Sequence, residues 1–92
     1  MERQSGVKVR LTEDFINDLS LIYSEKLFEQ IVDILHGLQH FPDMGSADVR
    51  SSLIKRFGSG IRKIGVSTFV IIYRHTGNSI EVLALVYGPR IK

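Results

Sequence analysis

Apolar residues recur in two rhythms along the first half of this chain. Val7-Lys8-Val9-Arg10-Leu11 alternates, which predicts a short strand with Val7, Val9 and Leu11 facing inward. Thr12 then offers a capping hydroxyl, and Glu13 and Asp14 suit the positive end of a helix dipole. Phe15, Ile16, Leu19, Ile22 and Tyr23 follow at the spacing of one amphipathic stripe. Ser24 caps a second helix whose apolar positions are Leu27, Phe28, Ile31, Ile34, Leu35 and Leu38. Phe41-Pro42 ends it, because the residue before proline is driven out of the α region. Two helices joined this tightly predict a hairpin with one shared apolar face.

Residues 43–60 are polar and carry Gly45, Gly58 and Gly60, which predicts a loop with at most a short helical turn around residues 50–54. From Ile61 onward the β-branched and aromatic content predicts three strands, in IRKIGV, TFVIIYRH and SIEVLALVY. Thr76-Gly77-Asn78-Ser79 is the turn between the last two. The expected order is β-α-α-β-β-β over one domain spanning 1–92. It is an α+β fold with the helix hairpin on one face of a small, mostly antiparallel four-stranded sheet. Strict alternation puts Phe69, Ile71 and Tyr73 on one face and Val70, Ile72 and Arg74 on the other. In the last strand it opposes Ile80, Val82, Ala84 and Val86 to Leu83, Leu85 and Tyr87. One hairpin covers one face, so an apolar patch is expected on the other, and such patches mark interfaces. Burying a few hundred Å2 at about 25 cal/mol per Å2 yields roughly 10 kcal/mol before association costs. Val70, Ile72, Leu83 and Leu85 are the expected partner-binding residues of that face.

Composition sets limits without naming a function. With 92 residues, 43% apolar and 24% charged, the chain has the make-up of a soluble globular domain. It has no cysteine, which excludes disulfides and thiolate metal or redox sites. No apolar run is long enough to span a bilayer and no signal peptide is evident, so a cytoplasmic protein without membrane association is expected. The net charge of +2 conceals an asymmetry. Residues 1–49 hold four Lys/Arg against nine Asp/Glu, a balance of −5, whereas residues 50–92 hold eight against Glu81 alone, a balance of +7. A basic surface facing a polyanion or an acidic partner follows naturally from that division.

Chemical motifs are sparse. GSGIRK lacks the spacing and the Lys-Ser/Thr ending of a phosphate loop and precedes a strand. His36 and His40 lie i, i+4 on the second helix, but Gly37 stands where a zinc protease needs its glutamate. Neither a metal nor a cofactor is expected. Lys55, Arg56, Arg62, Lys63, Arg74 and Arg90, with His75 at the hairpin end, fall around the sheet as a cationic rim suited to phosphates. Gly88-Pro89 is expected to end strand pairing and aim Arg90 at that rim.

In order, LQHFPDMG, GIRKIGVSTFVIIYR and IEVLALVYGPR resemble the RelE/ParE superfamily of type II toxin–antitoxin toxins over nearly the whole chain. The Tyr73-Arg74 pair, the Ile-Glu-Val-Leu strand start and the terminal Gly-Pro-Arg carry most of the likeness. The resemblance implies a small toxin neutralised by a cognate antitoxin whose extended segment wraps it, and either a homodimer or a toxin–antitoxin hetero-oligomer is expected. In the RelE-like branch it implies ribosome-dependent mRNA cleavage, with Lys63 (beside Arg62), Arg90 and Tyr87 at the catalytic positions. Val70 then holds the third-strand position where that branch has arginine, and a valine cannot stabilise charge developing on a phosphate. GIRKIGV, the Tyr-Arg pair and Gly-Pro-Arg look more like the ParE branch, which implies inhibition of DNA gyrase without a ribonuclease site. A non-toxic binding module of the same fold is the third alternative.

Overall fold

The computed structural model describes residues 6–90, and its sheet grows outward from one hairpin. β3 (Phe69–Thr76) and β4 (Ser79–Tyr87) pair antiparallel around Gly77-Asn78. Gly77 sits at φ 58°, as the first residue of such a two-residue loop requires. β2 (Ile61–Val66) adds antiparallel to β3, and β1 (Lys8–Leu11) adds parallel to the far side of β4. The strand order is β1-β4-β3-β2, so the sheet is mostly antiparallel as expected.

α1 (Glu13–Leu19) and α2 (Glu25–His40) begin where their caps place them. The Thr12 hydroxyl accepts from the Phe15 amide at 3.2 Å, and the Ser24 hydroxyl from the Leu27 amide at 3.2 Å. Both helices cover the same sheet face. Phe15, Ile31 and Leu38 are fully buried there against Ile71, Tyr73, Ile80 and Val82. No helix among the described residues is long and apolar enough to cross a membrane.

Two sequence expectations are corrected. The segment after Pro42 is not simply a loop, because α3 (Ser51–Phe57) forms two turns and ends at Gly58 with φ 93°. The order is therefore β-α-α-α-β-β-β. α3 lays Leu53 on the second sheet face, where it covers Ile61, Ile72 and Ala84. Ile72 is consequently fully buried within the chain and not available to a partner.

The second correction concerns β4. Ile72 lies opposite Ala84, but Tyr73 lies opposite Val82, so Leu83 is the extra residue of a β-bulge. The bulge breaks the two-residue period, and Val82 and Leu85 both enter the main core. Leu83, Ala84 and Val86 pack on the α3 face with Val70. Of the four expected partner-face residues, Leu85 thus belongs to the opposite face.

Candidate functional site

Much of the expected cationic rim is engaged in holding the chain together. β3 aims Tyr73 and His75 at the turn that follows α2, and β2 aims Arg62 at the same turn. The Tyr73 hydroxyl donates to the Pro42 carbonyl and accepts from the Gly45 amide, each at 2.9 Å. Burial raises the phenol above its ordinary pKa. A Cβ on Gly45 would lie 2.8 Å from the Lys63 carbonyl and from the Tyr73 ring, so only glycine permits this approach. Arg62 donates to the Gly45 carbonyl at 2.7 Å and sits 3.5 Å from the Asp43 carboxylate. His75 spans two acceptors, with Nδ1 2.9 Å from Asp43 Oδ1 and Nε2 3.0 Å from the Gly77 carbonyl. The hydrogen bond from His75, aided by the Arg62 charge, holds the Asp43 carboxyl below its usual pKa despite some desolvation.

Arg74 is committed elsewhere. It caps the end of α3 by donating to the Phe57 carbonyl, reaches the Ser59 carbonyl at 3.4 Å, and lies 3.9 Å from Glu81. Glu81 is shared with Arg10 on β1. Arg74 therefore anchors α3 and belongs neither to a free basic surface nor to the acidic helices.

Lys55, Arg56 and Lys63 remain. Lys55 and Arg56 are exposed on α3, and none of the three has an ion pair among the described residues. Arg56 rests its guanidinium 4.8 Å from the centre of the Phe57 ring. Lys63 shares the α3 face, being opposite Ile72, and Ser46 takes both its outward backbone bonds at 2.9 Å. Tyr87 stacks obliquely on Phe69, ring centres 5.6 Å apart, on the helix-hairpin face. Lys63 and Tyr87 thus project from opposite faces and do not meet at one phosphate. Gly88–Arg90 is a 3-10 turn, and the Arg90 side chain lies outside the described residues.

Beside these cations runs a groove of about 520 Å3. Its walls are the end of α1 (Asp18) and the segment after it (Leu21, Ile22), α3 (Leu53, Arg56) and the end of the sheet (Phe69, Leu85, Val86, Tyr87). Leu21 is 69% exposed and Tyr87 43%, so apolar surface is presented on both rims. The groove exists because β1 stops opposite Val82 while β4 continues to Tyr87. Asp18 occupies part of that bare edge by accepting from the Leu85 amide at 3.1 Å. Asp18 and Asp43 carried no motif in the sequence; the only trace of the second was its place in the Phe-Pro-Asp turn.

This geometry coincides with sequence similarity. The model of the ParE toxins of type II toxin–antitoxin systems, parDE, matches residues 9–91. The chain belongs to the ParE toxin family. No curated protein matches its sequence. Among solved structures, the fold is similar to one from the chromosomal ParDE toxin–antitoxin system of P. aeruginosa, with TM-score 0.65, 19% identity, and coverage of 90% of this chain and 97% of that one. It is also similar to one from the RelBE2 toxin–antitoxin complex of Mycobacterium tuberculosis, with TM-score 0.70, 18% identity, and coverage of 89% and 98%. At such identities these structures speak for the ParE fold alone, and family membership rests on the sequence match.

Proposed function

We propose that this ParE-family toxin is a growth inhibitor that acts on DNA gyrase and is neutralised by a cognate antitoxin. The observation that carries the choice of target is the dispersal of the ribonuclease set. Val70 occupies the third-strand position, and Lys63 and Tyr87 point from opposite faces. Acid–base cleavage of RNA needs its groups around one scissile phosphate, within hydrogen-bond reach. The exposed cations of α3, Lys55 and Arg56, with Lys63 beside them, are the surface offered to the target. The antitoxin's apolar side chains dock in the groove between α1 and α3 and beside Val70 and Leu83, the partly buried remainder of the second sheet face.

Two assays on purified protein test the target. Supercoiling by gyrase should fall with added toxin, while primer extension on translating ribosomes should show no new mRNA ends. Codon-specific cuts with undisturbed supercoiling would mean a RelE-like endoribonuclease instead.

A further inference from the structure

The two faces of the sheet differ in charge as well as in cover. α1 and α2 lie on one face and carry three carboxylates each. The α3 face is basic. Leu53 packs there on Ile61, and Lys63, two residues along β2, projects from the same side. Register carries that side across the sheet, from Ile61 to Arg74, from Arg74 to Glu81, and from Glu81 to Arg10. Lys8 follows by alternation. α3 adds Arg56, and Lys55 on the side of the helix turned away from Leu53. Glu81 answers Arg10 and Arg74, and the segment entering α3 adds exposed Asp48 and Arg50, which cancel. Lys8, Lys55, Arg56 and Lys63 are left without ion pairs among the described residues.

These cations span the sheet. Lys8 and Lys63 stand on its two edge strands, three strand spacings or about 14 Å apart, with α3 between them. What α3 raises above the sheet is charge, because Leu53 is turned down into the core and Lys55 up. A protein partner needs a desolvated apolar or aromatic centre, which this ridge does not offer. A single strand needs rings on which bases stack. Here Phe57 is packed below and carries the Arg56 guanidinium 4.8 Å from its centre, while Phe69 and Tyr87 stack on each other on the opposite face. We infer that the α3 face binds duplex DNA through its phosphates. Stacking on Phe57 pins Arg56 and leaves its N–H groups to phosphate oxygens. α3 carries no Asn or Gln to read adenine, so the contact is independent of sequence. The acidic hairpin on the far side turns this face toward the polyanion. The role of such binding rests on the gyrase reading: gyrase is met on the DNA that it supercoils, rather than on an acidic patch of its own surface.

Fluorescence anisotropy of the full chain tests this with labelled duplexes of about 20 base pairs in two sequences, one of their single strands, and polyglutamate as an acidic competitor. Both duplexes should bind alike. Their affinity should fall about 150-fold between about 50 and 200 mM salt, the slope of about −3.6 that one phosphate for each of the unpaired cations gives. Lys55→Ala and Lys63→Ala should each shallow that slope by about 0.9 on both sequences. Lys26→Ala, exposed on α2, should leave it unchanged. Displacement of the duplex by equimolar polyglutamate would assign the face to an acidic protein, and tighter binding of the single strand would assign it to unpaired nucleic acid. Either result would overturn the inference. So would a slope that Lys26→Ala shallows as much as Lys63→Ala does, the mark of charge spread over the whole molecule. Absence of duplex binding at low salt, with gyrase still inhibited, would overturn the inference and leave the gyrase reading standing. Duplex binding with supercoiling undisturbed would overturn the gyrase reading alone.

Discussion

The hydroxyl of Tyr73 satisfies two backbone groups of the turn after α2, so Tyr73→Phe leaves the Gly45 amide without its acceptor and the Pro42 carbonyl without its donor. That loss should cost about 1–3 kcal/mol, read in urea as a lower midpoint at unchanged slope. Asp43, in the same cluster, makes stability depend on acid. Its folded pKa is depressed, chiefly by the His75 hydrogen bond, so the folded state binds this proton less readily than the unfolded chain does. The contribution is present above about pH 4 and is lost as pH falls through the lowered folded value. Denaturation midpoints of the wild type should therefore drop more steeply than those of Asp43→Asn between neutral pH and pH 3. Parallel curves would remove Asp43 from that role. Tyr73 and Arg74 drew attention in the sequence as a motif, yet both are fasteners, one for a turn and one for a helix end. Nothing in a lone Tyr-Arg pair distinguishes a fastener from a working residue, since the difference lies in carbonyls supplied from residues 42 and 57.

Among the elements, α3 is held most lightly. Leu53 is its one buried side chain, and Arg50 at its N-terminus makes no capping hydrogen bond through its side chain. Leu53→Ala should cost about 2 kcal/mol or more and, in hydrogen exchange, release the α3 amides well before those of β3 and β4. Uniform release across the chain would mean that α3 folds only as part of the whole. The β2–β3 turn stores strain of a simpler kind. Ser67 adopts φ 58°, a left-handed conformation, so Ser67→Gly should raise stability by about 0.5–1 kcal/mol once the entropy of glycine is subtracted. The first two helices and all four strands were legible because caps, Phe41-Pro42 and sustained periodicity agreed with one another. α3 was legible only as a short helical turn around residues 50–54, because Leu53 and Phe57, one turn apart, are too few apolar anchors to make a stripe. The bulge at Leu83 was hidden for the opposite reason: every residue from Val82 to Val86 is apolar, so either register looks equally good.

For the molecule as a whole, the division of charge has become a division of labour. The acidic first half supplies α1 and α2, which cover one face of the sheet, and also the two carboxylates, Asp18 and Asp43, that tie loops and edges to it. The basic second half divides again. Arg62, Arg74 and His75 hold structure, while Lys55, Arg56 and Lys63 stay free of carboxylates on the side of α3. Our proposal gives the meeting with the target to Lys55, Arg56 and Lys63, a distinction that composition cannot draw. The most direct test is gyrase supercoiling measured against purified wild-type protein and a Lys55→Glu/Arg56→Glu variant whose stability is unchanged. The wild type should inhibit supercoiling, and the variant should need about tenfold more protein for the same effect. Undiminished supercoiling at saturating wild-type protein, or equal inhibition by the variant, would contradict a gyrase toxin working through α3.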